Sequence, residues 1–456
     1  MKILALLLAL IAQLAAAAII GDDEIRRILA ERIDARKQAV GIVAGVIDPA
    51  GRRVIGHGKL AAGDTRTPDG DTVFEIGSVT KVFTALLLAD MVARGEVALD
   101  DPVSKYLPQD VRMPRRGGRD ITLQDLATHT SGLPRLPSPF TPKNPANPYA
   151  DYSVEDLYRF LSSHELRRDI GSQYEYSNLG GGLLGHVLAR RAGMDYESLV
   201  RARITGPLGM SDTRIALTPE MQSRLASGHN ERLVPVANWD LPTLAGAGAL
   251  RSTVNDLLKF VAVPLGDPNR PLAKAMSAML AVRRPTGAPT LEIALGWHVA
   301  KRGGREIVWH NGGTGGYRSV VAFDPAARAG VVVLSNTFTN AGVDDIGQHL
   351  LDPSSALLPA PTSHTEIALE ANVLERYVGR YQIAPGFVIE IIRADNHLFA
   401  QVTNQPRFEI FAEKEKTFFL KVVDAQIDFE VDAASGRATG LVLHQAGQNI
   451  SGKRIE

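Results

Sequence analysis

Phe74-Glu75-Ile76-Gly77-Ser78-Val79-Thr80-Lys81 leads into an apolar run through Phe83, Leu86, Leu87, Leu88 and Met91. A short β-prone segment ends at Gly77, and a helix is expected to begin at Ser78 with Lys81 three residues on. Positions i and i+3 of a helix share a face, so the Ser78 hydroxyl and the Lys81 amine fall within hydrogen-bond reach. The first turn also aims free backbone N–H groups and the positive end of the helix dipole at whatever Ser78 attacks. Serine is a weak nucleophile at its free pKa and needs a base beside it. A lone S-x-x-K is more often an N-capped helix with a surface lysine. The rest of the chain has to supply the partners.

Upstream, Asp22 and Asp23 are placed to cap a helix carrying Ile25, Leu29 and Ile33. Two β-rich runs, 41–48 and 53–59, are joined by Pro49-Ala50-Gly51-Arg52, a hairpin signal. Downstream, residues 121–128 read as a short helix running into His129-Thr130-Ser131-Gly132-Leu133. Residues 134–148 hold six prolines, so they form a long irregular loop suited to the wall of a cleft. Helical patterning returns over 153–162. The polar turn Gly171-Ser172-Gln173-Tyr174-Glu175-Tyr176-Ser177-Asn178 then feeds a helix over 179–192. Four further runs, 296–300, 306–310, 319–323 and 330–334, read as consecutive antiparallel strands, and a helix over 343–351 closes the unit.

The chain has 456 residues, 45% hydrophobic and 22% charged, ample for a large buried core. Lys plus Arg equals Asp plus Glu at 50 each, so nothing steers it toward nucleic acid or another phosphate-rich partner. It has no cysteine, which excludes disulfides, thiol catalysis and Cys-ligated metal. Met1-Lys2, an apolar run over 3–14 and Ala15-Ala16-Ala17-Ala18 read as a secretory signal peptide over 1–18, cleaved after Ala18. The run is short for a membrane span, so no stable span is expected once it is removed; an uncleaved anchor is the other reading. The expectation is a periplasmic or secreted protein. Composition shifts at a linker, 352–372, and 373–456 carries evenly spaced alternating runs. Six to eight short strands there suggest a small antiparallel barrel or sandwich.

Three pieces now stand together: one S-x-x-K at Ser78 and Lys81, one Y-x-N at Tyr176 and Asn178, and Val308-Trp309-His310-Asn311-Gly312-Gly313-Thr314-Gly315-Gly316-Tyr317 at the end of a predicted strand. Singly, Tyr176 is more often a core tyrosine and His310 a satisfied strand histidine. The glycines after His310 suit close backbone approach to a ligand.

In this order and spacing the three motifs resemble the serine β-lactamase and penicillin-binding-protein superfamily, on the branch of class C β-lactamases and DD-carboxypeptidases. The match runs over about 22–351 and includes lesser pieces: His129-Thr130-Ser131-Gly132-Leu133, Pro207-Leu208-Gly209-Met210 and Leu295-Gly296-Trp297. The tail from Val373 resembles the lipocalin-like barrel appended to many such hydrolases. The resemblance implies an α+β fold for 19–351, an α/β/α sandwich with an antiparallel sheet flanked by helices beside an all-helical subdomain. It implies an acyl-enzyme at Ser78, with Lys81 and Tyr176 as a proton-transfer pair whose division of labour the motifs leave open. His310 would support Tyr176, and Asn178 would bind the substrate amide. Ser78 and Gly313 would give the oxyanion hole, with Asn311 and Gly312 beside it. No metal or organic cofactor is implied. The partner would be a small molecule or peptide: a peptidoglycan peptide, a β-lactam or an ester.

The third motif departs from the family pattern. Asn311 and Gly313 stand where hydroxyls often bind a substrate carboxylate, with Thr314 one place on; Arg283 or Arg284 reads either as a compensating cation or as a solvated surface arginine. Without an anion clamp the pocket suits neutral esters or amides. An esterase or D-amino-acid amidase is therefore the second enzyme reading, and a penicillin-binding sensor module the non-enzymatic one.

Overall fold

The structure, a computed structural model, describes residues 20–359, 364–384, 387–403, 407–421, 425–445 and 448–455. The signal peptide expected over 1–18 lies outside the described residues. The chain divides into two compact units between Leu358 and Pro359.

The first unit is built on an antiparallel sheet. Its strands are β1 (Gly41–Asp48), β2 (Gly51–Gly58), β3 (Arg284–Pro285), β4 (Leu291–Ile293), β5 (His298–Arg302), β6 (Arg305–Gly313), β7 (Arg318–Asp324) and β8 (Ala329–Ser335), in the order β2-β1-β8-β7-β6-β5-β4-β3. The expected hairpin is β1–β2, with Asp48 opposite Gly51. The short strands β3 and β4 at one end of the sheet were not legible, because two- and three-residue strands leave no period to read.

Side chains alternate across a strand, and the sheet uses both faces. Ile42, Ala44, Val46, Val331 and Val333 pack with α1 (Asp22–Ala30) and with Ile346 and Leu350 on one side. Val43, Val332 and Leu334 pack on the other side in the cluster that holds α2 (Thr80–Ala93). That is the expected sandwich. The cap of α1 differs from expectation: Gly21 is the N-cap, and Asp22, Asp23 and Glu24 occupy the first turn, where their charge meets the helix dipole.

The start of α2 differs as well. Ser78 sits in a 3₁₀ turn, Gly77–Val79, and the α-helix begins at Thr80. Every residue from Thr80 to Met91 is buried, as an apolar pattern on all sides requires. Phe83 stacks on Phe260 at 4.2 Å. Beside it lies the helical region, which includes α3 (Val154–Ser163), opened by a Ser153/Asp156 capping box, and α4 (Asn178–Ala192), capped by Ser177. A last helix, α5 (Asp344–Leu351), covers the α1 side of the sheet.

The second unit is a closed barrel of eight antiparallel strands running from Gly379–Ala384 to Gln448–Arg454, the first pairing with the last. Eight strands fall within the six to eight expected from sequence. Eight strands enclose a space that side chains can fill. Here Tyr377, Tyr381, Phe418 and Phe429 fill it, and both tyrosine hydroxyls donate to backbone carbonyls, at 2.6 and 2.7 Å. Among the described residues no helix is long and apolar enough to cross a membrane.

Candidate active site

Ser78 is half-buried, with Lys81 buried behind it. The Lys81 amine is 2.9 Å from Ser78 Oγ, 2.9 Å from Asn178 Oδ1 and 2.7 Å from the carbonyl oxygen of Ala247. Its three neighbours include no carboxylate. Burial, with the charge of Arg135 second, holds its pKa well below the ordinary lysine range. Gly181 in α4 makes the room: a Cβ there would stand 3.0 Å from Lys81 Cε.

Tyr176 meets Ser78 from the other motif, where hydrogen bonding from the Ser78 hydroxyl works against the effect of burial on the phenol. Burial raises the Tyr176 phenol well above its usual pKa, against the opposing effects of that bond and of Arg135. Its backbone neighbours are fixed by one histidine. The N–H of Glu175 donates to the His129 carbonyl at 2.8 Å, and the N–H of Ser177 donates to His129 Nδ1 at 3.2 Å. The His129 ring lies 4.5 Å from that of Tyr176.

The third motif is the end of β6. His310 and Gly312 point to the Ser78 side of the sheet. The His310 ring is 6.2 Å from that of Tyr176 and 5.4 Å from that of His298, whose Nε2 is 3.0 Å from the Tyr174 hydroxyl. A Cβ on Gly312 would lie 3.0 Å from Ser78 N, and one on Gly77, at φ +48°, would lie 2.7 Å from Gly313 N. The serine turn and the strand therefore touch backbone to backbone. Such an approach can present the N–H groups of residues 78 and 313 to one oxygen.

The family profile for beta-lactamase matches residues 25–352. The chain belongs to the beta-lactamase family. As a member of that family it is a serine hydrolase. A domain of unknown function, DUF3471, matches 363–454. The D-alanyl-D-alanine-carboxypeptidase/endopeptidase AmpH of Escherichia coli K12 is 32% identical over 344 residues, 71% of this chain and 88% of that protein. Penicillin-binding protein 4* of Bacillus subtilis is 26% identical over 410 residues, 85% of this chain and 88% of its own. A beta-lactamase/D-alanine carboxypeptidase structure from Yersinia pestis superposes with a TM-score of 0.61 at 26% identity, covering 73% of this chain and 96% of its own.

Within this beta-lactamase fold Asn311 is the expected site residue whose side chain is turned aside. It faces the opposite side of β6 from His310, and its carboxamide donates to Asp344 at the start of α5. Strand alternation requires this once His310 faces Ser78. Arg283 and Arg284 each have a partner of their own. Arg283 pairs with Glu306 at 3.2 Å and Arg284 donates to the Arg283 carbonyl at 2.9 Å. Three contributors escaped sequence reasoning: the Ala247 carbonyl, His129 as the clamp on the Tyr176 segment, and Arg135, whose guanidinium stands 5.2 Å over the Tyr176 ring. Backbone carbonyls leave no trace in composition. Arg135 sits in the proline-rich loop, where no period shows which way a side chain points.

Proposed function

We propose that this serine hydrolase is exported, is acylated at Ser78, and takes D-alanyl peptides or β-lactams as acyl donors. The observation that carries this is the buried Lys81 amine 2.9 Å from Ser78 Oγ with no carboxylate at its side. A neutral amine has two N–H groups and one lone pair. Asn178 Oδ1 and Ala247 O only accept, so both N–H groups go to them, and the lone pair is left for the Ser78 proton. Lys81 is then the base for attack.

Tyr176, kept protonated by its raised pKa and set beside Ser78, delivers a proton to the leaving group. Asn178 Nδ2 also reaches Tyr149 Oη at 3.2 Å, which orients the carboxamide against the donor's amide. The N–H groups of Ser78 and Gly313 hold the oxyanion. The domains are assigned as a leader over 1–18, a hydrolase over 19–351, a linker over 352–372 and a barrel over 373–456. The names of the E. coli and B. subtilis relatives support this substrate class.

The second reading, hydrolysis of neutral esters or amides, is favoured by Asn311, whose carboxamide is committed to Asp344. One purified sample tests both. A fluorescent penicillin, a D-Ala-D-Ala peptide, nitrocefin and a short aryl ester are offered to the wild type and to Ser78→Ala. The expected result is labelling and turnover that Ser78→Ala abolishes with the fold intact. Ester turnover without labelling selects the second reading, and activity surviving Ser78→Ala overturns both.

A further inference from the structure

We propose that Arg135 forms an anion-selecting subsite at the rim of the Ser78 cleft, favouring acyl donors that carry a carboxylate on the acyl side. The inference rests on Ser78 being the acylated residue and deepens that reading by naming a class of donor.

The backbone of Arg135 is fixed while its charge is left open. Its carbonyl accepts the N–H of Asn178 at 3.0 Å and of Leu179 at 3.2 Å, which ties this point of the loop to the first turn of α4. The guanidinium is exposed and lies 5.2 Å over the Tyr176 ring, on the Tyr176–Asn178 side of Ser78. That side is where the acyl amide is assigned. Among the described residues no carboxylate pairs with it. Other arginines of this unit are engaged: Arg251 with Glu75, Arg283 with Glu306, and Arg318 with the Thr339 carbonyl close to Asp344.

The charge of Arg135 reaches Lys81, His129, Tyr149, Tyr174 and Tyr176. An exposed cation without a carboxylate partner, set over Tyr176, draws in an anion and holds it. The planar guanidinium also presents paired donors to a carboxylate, and the aromatic face beneath pre-orients it. Of the groups after His310, Asn311 is turned to Asp344.

The test uses two aryl esters of equal chain length, p-nitrophenyl pentanoate and mono-p-nitrophenyl glutarate, which differ by a terminal carboxylate. Ratios of kcat/KM (glutarate over pentanoate) are measured for the full chain, Arg135→Gln and Arg135→Lys, at low and high salt. The wild type should favour the glutarate ester, and the preference should shrink with salt. Arg135→Gln should cut the ratio by about tenfold or more, mostly through KM, the order expected for losing one ion pair partly shielded from solvent. Arg135→Lys should keep part of it. A ratio that stays within about twofold in Arg135→Gln, with melting unchanged, overturns the subsite. Absence of turnover of either ester together with absence of penicillin labelling overturns the acyl-enzyme assignment itself. Labelling at Ser78 with an unchanged ratio overturns only the role of Arg135.

Discussion

His310 Nδ1 lies 2.6 Å from the carbonyl oxygen of its neighbour Asn311. A carbonyl only accepts, so Nδ1 carries the proton and Nε2 is a bare lone pair. That Nε2 is buried with no hydrogen-bond partner of its own. Burial, followed by the His298 and Lys81 charges, holds the imidazole well below its usual pKa. His310 is therefore a neutral acceptor beside Tyr176, a different electrical object from a lysine in the same place. Nitrogen-15 spectra at about pH 6, near the free imidazole pKa, should show His310 as the neutral Nδ1–H tautomer. His310→Ala should slow acylation by about tenfold to a hundredfold, the low end for an acid–base auxiliary. A protonated His310 under those conditions would remove it from the relay.

Lys81 should set the acid limb of the pH profile. The free amine is the working form and its pKa is depressed, so activity should rise with pH and level off well below the ordinary lysine value of about 10.4. Lys81→Ala should cost about 10²–10⁴ in acylation rate. Lys81→Arg should not rescue it, because a guanidinium stays protonated. Arg135 contributes to the depression, so Arg135→Gln should move the acid limb to higher pH. A limb that does not respond to Lys81 substitution would assign the base elsewhere.

How far the sequence went follows from what kind of signal each element left. The Ser78–Lys81 pair was readable because three-residue spacing survives whether the turn is α or 3₁₀. The strands β1, β6, β7 and β8 are long enough to show their pattern, whereas β3 and β4 are not. Tyr176 and Asn178 were found as a motif, but the His129 clamp beneath them depends on a carbonyl and a ring nitrogen meeting across the fold. The turning of Asn311 was in principle legible: one step along a strand from His310 reverses the face. That step shifts attention from Asn311 to Arg135 as the residue that sets donor preference.

Asn311 should therefore act on stability more than on catalysis. Burial raises the Asp344 carboxyl above its usual pKa, and the bond from Asn311, followed by the Arg318 charge, opposes that rise. An acid with a raised folded-state pKa binds its proton more tightly folded than unfolded. Stability is therefore lost as pH climbs from the unfolded value of about 3.9 through the raised one. Asn311→Ala removes the bond and deepens the loss. Denaturation near pH 7 should show a destabilisation of about 1–3 kcal/mol, the cost of an unsatisfied buried group, and a smaller one near pH 4, with kcat/KM changed by less than about tenfold. A collapse of kcat/KM at unchanged stability would return Asn311 to the cleft.

Gly312 should do the reverse. It is the point where β6 passes the serine turn, and an added methyl would press on the Ile76 carbonyl, the Ser319 hydroxyl and Ser78 N together. Ser319 already donates to Ile76 O at 2.8 Å, so the methyl has no soft neighbour to displace. Relief requires the strand to move away from Ser78, taking the Gly313 N–H with it. Gly312→Ala should then lose about 10²–10³ in acylation rate, the order found when one oxyanion donor is removed. Gly77→Ala should lose a similar factor through its contact with Gly313, with about 1–2 kcal/mol of added backbone strain from its left-handed φ. Penicillin labelling rates set beside melting curves separate the two effects. Near-normal labelling by Gly312→Ala would show that the Gly313 N–H is not where the oxyanion forms.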